Sequence, residues 1–164
     1  MGGLNLSSSV FDCATSPMAT RIGKLQLISG DQSSFDAPFV LDRYEYSANH
    51  KLDRTRYSFI EYRVDRETKA CAMYVDYTGW SMSIHIHAPR HLKKNVIRRF
   101  LRYPFHEANV KMLFAPIKSS NTVILKVARK IGFKDHCVIP DYFGLHEDQI
   151  ILRAQEGDVK RWLE

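Results

Sequence analysis

The sequence has no apolar run near the roughly 18 residues that cross a bilayer as a helix, which argues against a chain threaded through a membrane by helices. Residues 1–17 lack a basic start followed by an apolar core, so no secretory leader is expected. Gly2 invites a myristoylation reading, but Leu6 stands where Ser or Thr is needed. Cysteine is scarce: Cys13, Cys71 and Cys137 are odd in number and far apart. They match neither a disulfide framework nor a zinc pattern, and reduced thiols packed as small apolar groups are expected. No internal repeat or low-complexity tract is present. These absences together point to a cytoplasmic globular chain with no metal centre.

What is there suits one domain. The chain has 164 residues with 45% hydrophobic content, enough for one core. The net charge of +6 fits a protein that meets anions: a phosphorylated cofactor, nucleic acid or an acidic partner. Charge alone does not choose among them.

The most informative stretch runs from Lys118 to Phe133. Val123, Ile124, Val127, Ala128 and Ile131 recur at helical spacing, with Lys126, Arg129 and Lys130 opposite. Ser119, Ser120 and Asn121 are all good N-caps, and Gly132 supplies a helix-closing residue with Phe133 packing back. Val110–Ala115 reads as a strand before this helix, and Phe133–Ile139 as one after it.

Elsewhere, residues 1–23 read as a loosely ordered arm, and residues 24–164 as the domain. Lys24–Ile28 alternates as a first strand. Ser33, Ser34 or Asp36 would cap a helix that carries Pro38 in its first turn and buries Phe39, Leu41 and Tyr44. Tyr57–Val64, Ala70–Tyr77 and Trp80–Ala88 form an antiparallel meander, with a turn over Asp65–Lys69. Phe59, Tyr62, Tyr74, Tyr77 and Trp80 lie on it, mostly as core or cross-strand pairs. A helix from Pro89 buries Leu92, Val96 and Phe100, and Pro104 should kink or end it. Gln149–Ala154 is a last strand and Asp158–Glu164 a short helix or tail.

The stretch from Asn121 to Phe133, N-x-x-x-x-x-V-A-x-K-I-G-F, resembles the second half of the GNAT acetyltransferase domain, closest to its ribosomal-protein and small-molecule branch. The small, basic form is also similar to GNAT-like proteins of bacteriophages. The resemblance implies an α/β fold: a mixed, centrally antiparallel sheet of six to seven strands with helices on both faces. It implies acetyl-CoA as acyl donor, held in a splay between the fourth and fifth strands, and direct transfer to a primary amine. In that family a loop Q/R-x-x-G-x-G/A cradles the pyrophosphate. Here it reads Arg90-His-Leu-Lys-Lys-Asn95, with Lys93 and Asn95 in place of the glycines. Arg90, Lys93, Lys94, Arg98, Arg99 and Arg102, with no acid among them, offer side-chain charge instead. The resemblance places Asn121 on the pantetheine arm or at the helix start.

For the chemistry, the strand Ser81–His87 puts Ser81, Ser83, His85 and His87 on one face. A neutral histidine suits removal of a proton from an ammonium near pH 7. His85 is preferred over His87, which lies nearer the phosphate end. The usual acid positions of the family hold Ala128 and Ile124, so Tyr142 is the substitute candidate. The alternative is a non-catalytic GNAT-like module that binds nucleic acid or an acidic host protein through the basic helix 90–102. A monomer or a dimer fits either reading.

Overall fold

The computed structural model describes residues 25–31, 34, 37–48, 52, 56–65, 67–88 and 92–164. The expected arm over residues 1–23 and the candidate Arg90 lie outside the described residues. In chain order the elements are β1 (Leu25–Asp31), α1 (Ala37–Ala48), β2 (Tyr57–Val64), β3 (Glu67–Val75), β4 (Ser81–His87) and α2 (Lys94–Arg102). A π-helical turn (Tyr103–Glu107), β5 (Met112–Lys118), α3 (Thr122–Ile131), β6 (Lys134–Ile139), β7 (Gln149–Ala154) and α4 (Glu156–Leu163) follow.

The seven strands form one sheet in the order β1-β2-β3-β4-β5-β7-β6. Every pairing is antiparallel except β4 with β5. Helices cover both faces, as the family resemblance implies. The larger core sets Ile60, Tyr74, Met82, Ile84, Leu113 and Leu152 against α2, α3 and α4. The smaller sets Phe59, Cys71 and Met73 against Val40, Leu41 and Tyr44 of α1.

Three local expectations need correction. Phe39 is 54% exposed, because α1 turns Val40, Leu41 and Tyr44 to the sheet instead. The turn after β2 is tighter than Asp65–Lys69, since Val64 already pairs with Glu67. Asp65 bears the left-handed conformation there, at φ 51°. On α3 the core side is Leu125, Ala128 and Ile131. Val123 and Val127 are 63% and 40% exposed, so the helix carries a second apolar stripe that the core does not use.

The α-helix ends at Arg102, two residues before Pro104, as expected, but the chain does not leave the helical path. The chain passes from α-helix into a π-helical turn that contains Pro104, and Ala108 N–H closes it on Tyr103 O at 2.8 Å. The Cα trace therefore keeps winding past the residue that removes a helical donor. This delivers Phe105 and Val110 to the core before β5 begins.

Candidate active site

The parallel pair β4–β5 determines where a ligand can enter. Its register runs Ser81 to Met112, Met82 to Leu113 and Ser83 to Phe114, and then stops. Both strands continue, β4 to His87 and β5 to Lys118, each still paired on its outer side to β3 or β7. Four residues of each strand thus turn one row of peptide groups to an open wedge. Those groups need partners. The wedge opens into a cavity of about 950 Å³.

The sheet divides this cavity in two. On the side of α2 and α3 the lining is apolar, with Ile84, Ile86, Leu92, Ile97, Val123, Ile124 and Val127. The second stripe of α3 therefore has a use: it forms a wall of the cleft. On the side of α1 the lining is polar. His85 pairs across the strands with Met73, and His87 with Cys71, so both imidazoles share the α1 face of the sheet. Tyr44, His85, His87, Lys118 and Gln149 all line the cavity.

Tyr44 comes down from α1 and meets His85 edge-on, with ring centroids 6.5 Å apart. Burial, reinforced by Cys71 and Glu45, pushes the Tyr44 phenol well above its usual pKa, so it keeps its proton. Burial draws His87 below the ordinary histidine range, which keeps it neutral near pH 7. The neutral His87 imidazole and the protonated Tyr44 phenol, which is beside His85, put one proton acceptor and one donor on the same side of the cavity.

Of the residues expected to meet phosphates, Lys93, Lys94 and Asn95 open α2. Lys93 is the extended N-cap of α2, and no side chain caps the helix start. Val96 N–H already donates to Lys93 O, which leaves the Lys94 and Asn95 N–H groups and the exposed Lys93, Lys94 and Asn95 side chains to meet an anion. The rest of the basic run is less available than its sequence implies. Arg99 is in an ion pair with Glu107, an acid supplied by the π-helical turn. Arg98 is half-buried, with its Nε unsatisfied.

Asn121 is the N-cap that sequence left ambiguous among three residues: its Oδ1 accepts from Ile124 N–H at 3.3 Å. It also lines the cavity. Tyr142 is not brought to the histidines. It is 54% exposed and stacks edge-on with Phe143, and it is Phe143 that lines the cavity. Among the described residues, no three His, Cys, Asp or Glu side chains gather as a metal site.

Tyr44, Lys118, Phe143 and Gln149 were not singled out as site residues from sequence. Only the polar character of Lys118 and Gln149 at strand ends hinted at them, and the strand pairing that brings them together is nonlocal.

Three solved structures share this architecture. Over 85% of this chain and 98% of the other, it matches the spermidine/spermine N-acetyltransferase SpeG of Vibrio cholerae at 13% identity and a TM-score of 0.66. The ribosomal-protein-S18-alanine N-acetyltransferase of Escherichia coli matches at 16% identity over 79% and 94% of the chains, TM-score 0.59. The yncA protein of Salmonella typhimurium, solved with its cofactor acetyl-CoA, matches at 16% identity over 80% and 93%, TM-score 0.57. No family model and no curated protein matches the sequence. The chain thus has the fold of GNAT acetyltransferases, as its Asn121-to-Phe133 segment led one to expect.

Proposed function

We propose that the chain transfers an acetyl group from acetyl-CoA to a primary amine, within one complex of donor and acceptor in the cytoplasm. The observation that carries this reading is the β4–β5 wedge beyond Ser83 and Phe114. An acyl-pantetheine arm is a narrow chain with amide groups, and the strand edges beyond the last β4–β5 pair offer it hydrogen bonds while Val123, Ile124 and Val127 offer apolar contact. The N-terminus of α2 with Lys93, Lys94 and Asn95 takes the phosphates, and Asn121 holds the start of the α3 wall. Acetyl-CoA supplies the activated acyl group. His85 accepts the proton of the incoming ammonium on the α1 side, with His87 beside it as the lesser candidate. Tyr44, closer to His85 than Tyr142 is by fold position, steadies the imidazole and keeps a proton to give.

The test is binding before activity. A ligand that binds only the folded state at about 100 times its Kd adds about 2.7 kcal/mol. Acetyl-CoA should therefore raise the thermal midpoint by several degrees at low salt. Millimolar CoA that leaves the midpoint unchanged sinks the proposal.

One observation favours a second reading, a non-catalytic module. The phosphate loop lacks its glycines, and Ala128 and Ile124 occupy the family's acid positions. In that case exposed Lys93, Lys94 and Arg102 would serve nucleic acid or an acidic protein, with affinity falling steeply as salt rises.

A further inference from the structure

The polar half of the cavity has a charge pattern of its own. Gln149 is only 7% exposed, lines the cavity, and its side-chain amide makes no hydrogen bond among the described residues. An amide that faces the cavity with no protein partner is open to a ligand that can hydrogen-bond to it. Gln149 pairs in register with Lys118 across β7 and β5, so the two side chains stand side by side on the floor of the cleft. The Lys118 ammonium is held 4.8 Å above the Phe143 ring, which limits its freedom. The nearby acid, Glu147, does not line the cavity: its carboxylate accepts from Ser120 N–H at 3.1 Å and from the Ser119 hydroxyl at 3.2 Å, and it also feels the Lys118 charge. Among the described residues lining the cavity there is no Asp or Glu.

Resting on the acyl-transfer reading, we infer that Lys118 and Gln149 form the acceptor subsite and that the acceptor is an amine bearing a carboxylate, of the amino-acid class. The ammonium and the amide N–H bind the carboxylate as paired donors, a charge-assisted arrangement. The amine of the same molecule then faces the histidine wall. A polyamine meets the opposite situation: a second ammonium would approach Lys118 with no carboxylate among the described residues of the cavity lining to receive it. Discrimination arises here as much from repulsion as from attraction.

The experiment compares alanine, alaninamide and spermidine as acceptors, for wild type and for Lys118→Met. The two alanine compounds differ in amine basicity, so the readout is the change in their kcat/KM ratio between the proteins. Lys118→Met should lower the alanine-to-alaninamide ratio at least tenfold. Gln149→Glu, which keeps the side-chain volume, should lower it too and raise turnover of spermidine. Calorimetry with the acetylated products needs no turnover: wild type should bind N-acetylalanine at least tenfold tighter than N-acetylalaninamide, and Lys118→Met should bind them alike. An unchanged kinetic ratio, a wild-type preference for spermidine, or equal binding of the two products overturns the inference. If acetyl-CoA yields no transfer to any amine, the acyl-transfer reading fails, and the calorimetric comparison alone still decides whether the subsite takes carboxylates.

Discussion

The hydroxyl of Tyr74 donates a 2.8 Å hydrogen bond to the carbonyl oxygen of Phe100. Phe100 stands four residues before Pro104, and in a regular helix its carbonyl would accept from the N–H that proline lacks. A buried tyrosine on β3 thus satisfies the group that the proline leaves bare. Tyr74→Phe should cost about 1–3 kcal/mol, the penalty for an unsatisfied buried acceptor. Pro104→Ala restores a possible donor, so the same tyrosine change should cost less in that background. Denaturant unfolding of the four proteins measures the coupling; strictly additive changes would refute it.

Gly132 closes α3 at φ 131°, and its N–H donates to Ala128 O and Arg129 O at 3.1 Å. A Cβ placed there would lie 2.1 Å from the backbone oxygen of Asp158. Strain and overlap add, because α4 starts directly against the turn. Gly132→Val should destabilise the protein by more than about 1 kcal/mol. Equilibrium unfolding tests it, and a loss within a few tenths would mean that α4 can shift aside at no cost.

If acetyl transfer is the function, His85→Ala should lower turnover by about 100- to 10,000-fold, the usual contribution of a general base. CoA affinity should stay nearly constant, since the imidazole is on the α1 side of the wedge and the phosphates are expected at α2. His87→Ala should cost less. Steady-state rates read beside CoA titrations separate the two effects, and equal losses from both variants would remove the distinction.

Charge reversal of Lys93 together with Lys94 should weaken CoA binding strongly and leave unfolding free energy nearly unchanged. Both side chains are exposed, and two attractions to phosphate become repulsions. Titration with CoA at two salt concentrations measures it; unaltered affinity would move the phosphate site elsewhere.

Stability should fall in two stages on acidification. His87 has its folded pKa lowered from 6.5 by burial, so the unfolded chain binds the proton more readily. Its contribution is complete above pH 6.5 and is withdrawn as pH falls below that. Glu147, lowered from 4.5 mainly by the Ser120 N–H, and Asp158, lowered from 3.8 mainly by Lys134, act in the same direction further down. Their contributions are present above those ordinary values and lost as pH falls through the depressed ones. Calorimetric midpoints across pH should show both stages, and His87→Asn should flatten the first.

Local pattern made much of this fold legible. The bounds of β2 and β7 follow from alternation and turn residues alone. The closure of α3 follows from Gly132-Phe133, where Phe133 N–H reaches back to Ala128 O at 3.1 Å. The alternation of Ser81, Ser83, His85 and His87 predicted a shared face, and pairing with Met73 and Cys71 puts both imidazoles on one side. These features depend on near neighbours in the chain, whose geometry the residue types themselves restrict.

Long-range pairing decided the rest. No local signal tells β4 and β5 to part after Ser83 and Phe114, because the separation depends on which strands hold their outer edges. Arg99 looked available until the π-helical turn brought Glu107 to it. Val123 and Val127 looked like core until Leu125 took that side and left them to the cleft. Gln149 and Lys118 acquire meaning only because β7 lies beside β5. Residue types and their near neighbours specify which segments form strands and helices and which side chains share a face; contacts between residues far apart in the chain choose which of those faces meet each other and which meet the cavity.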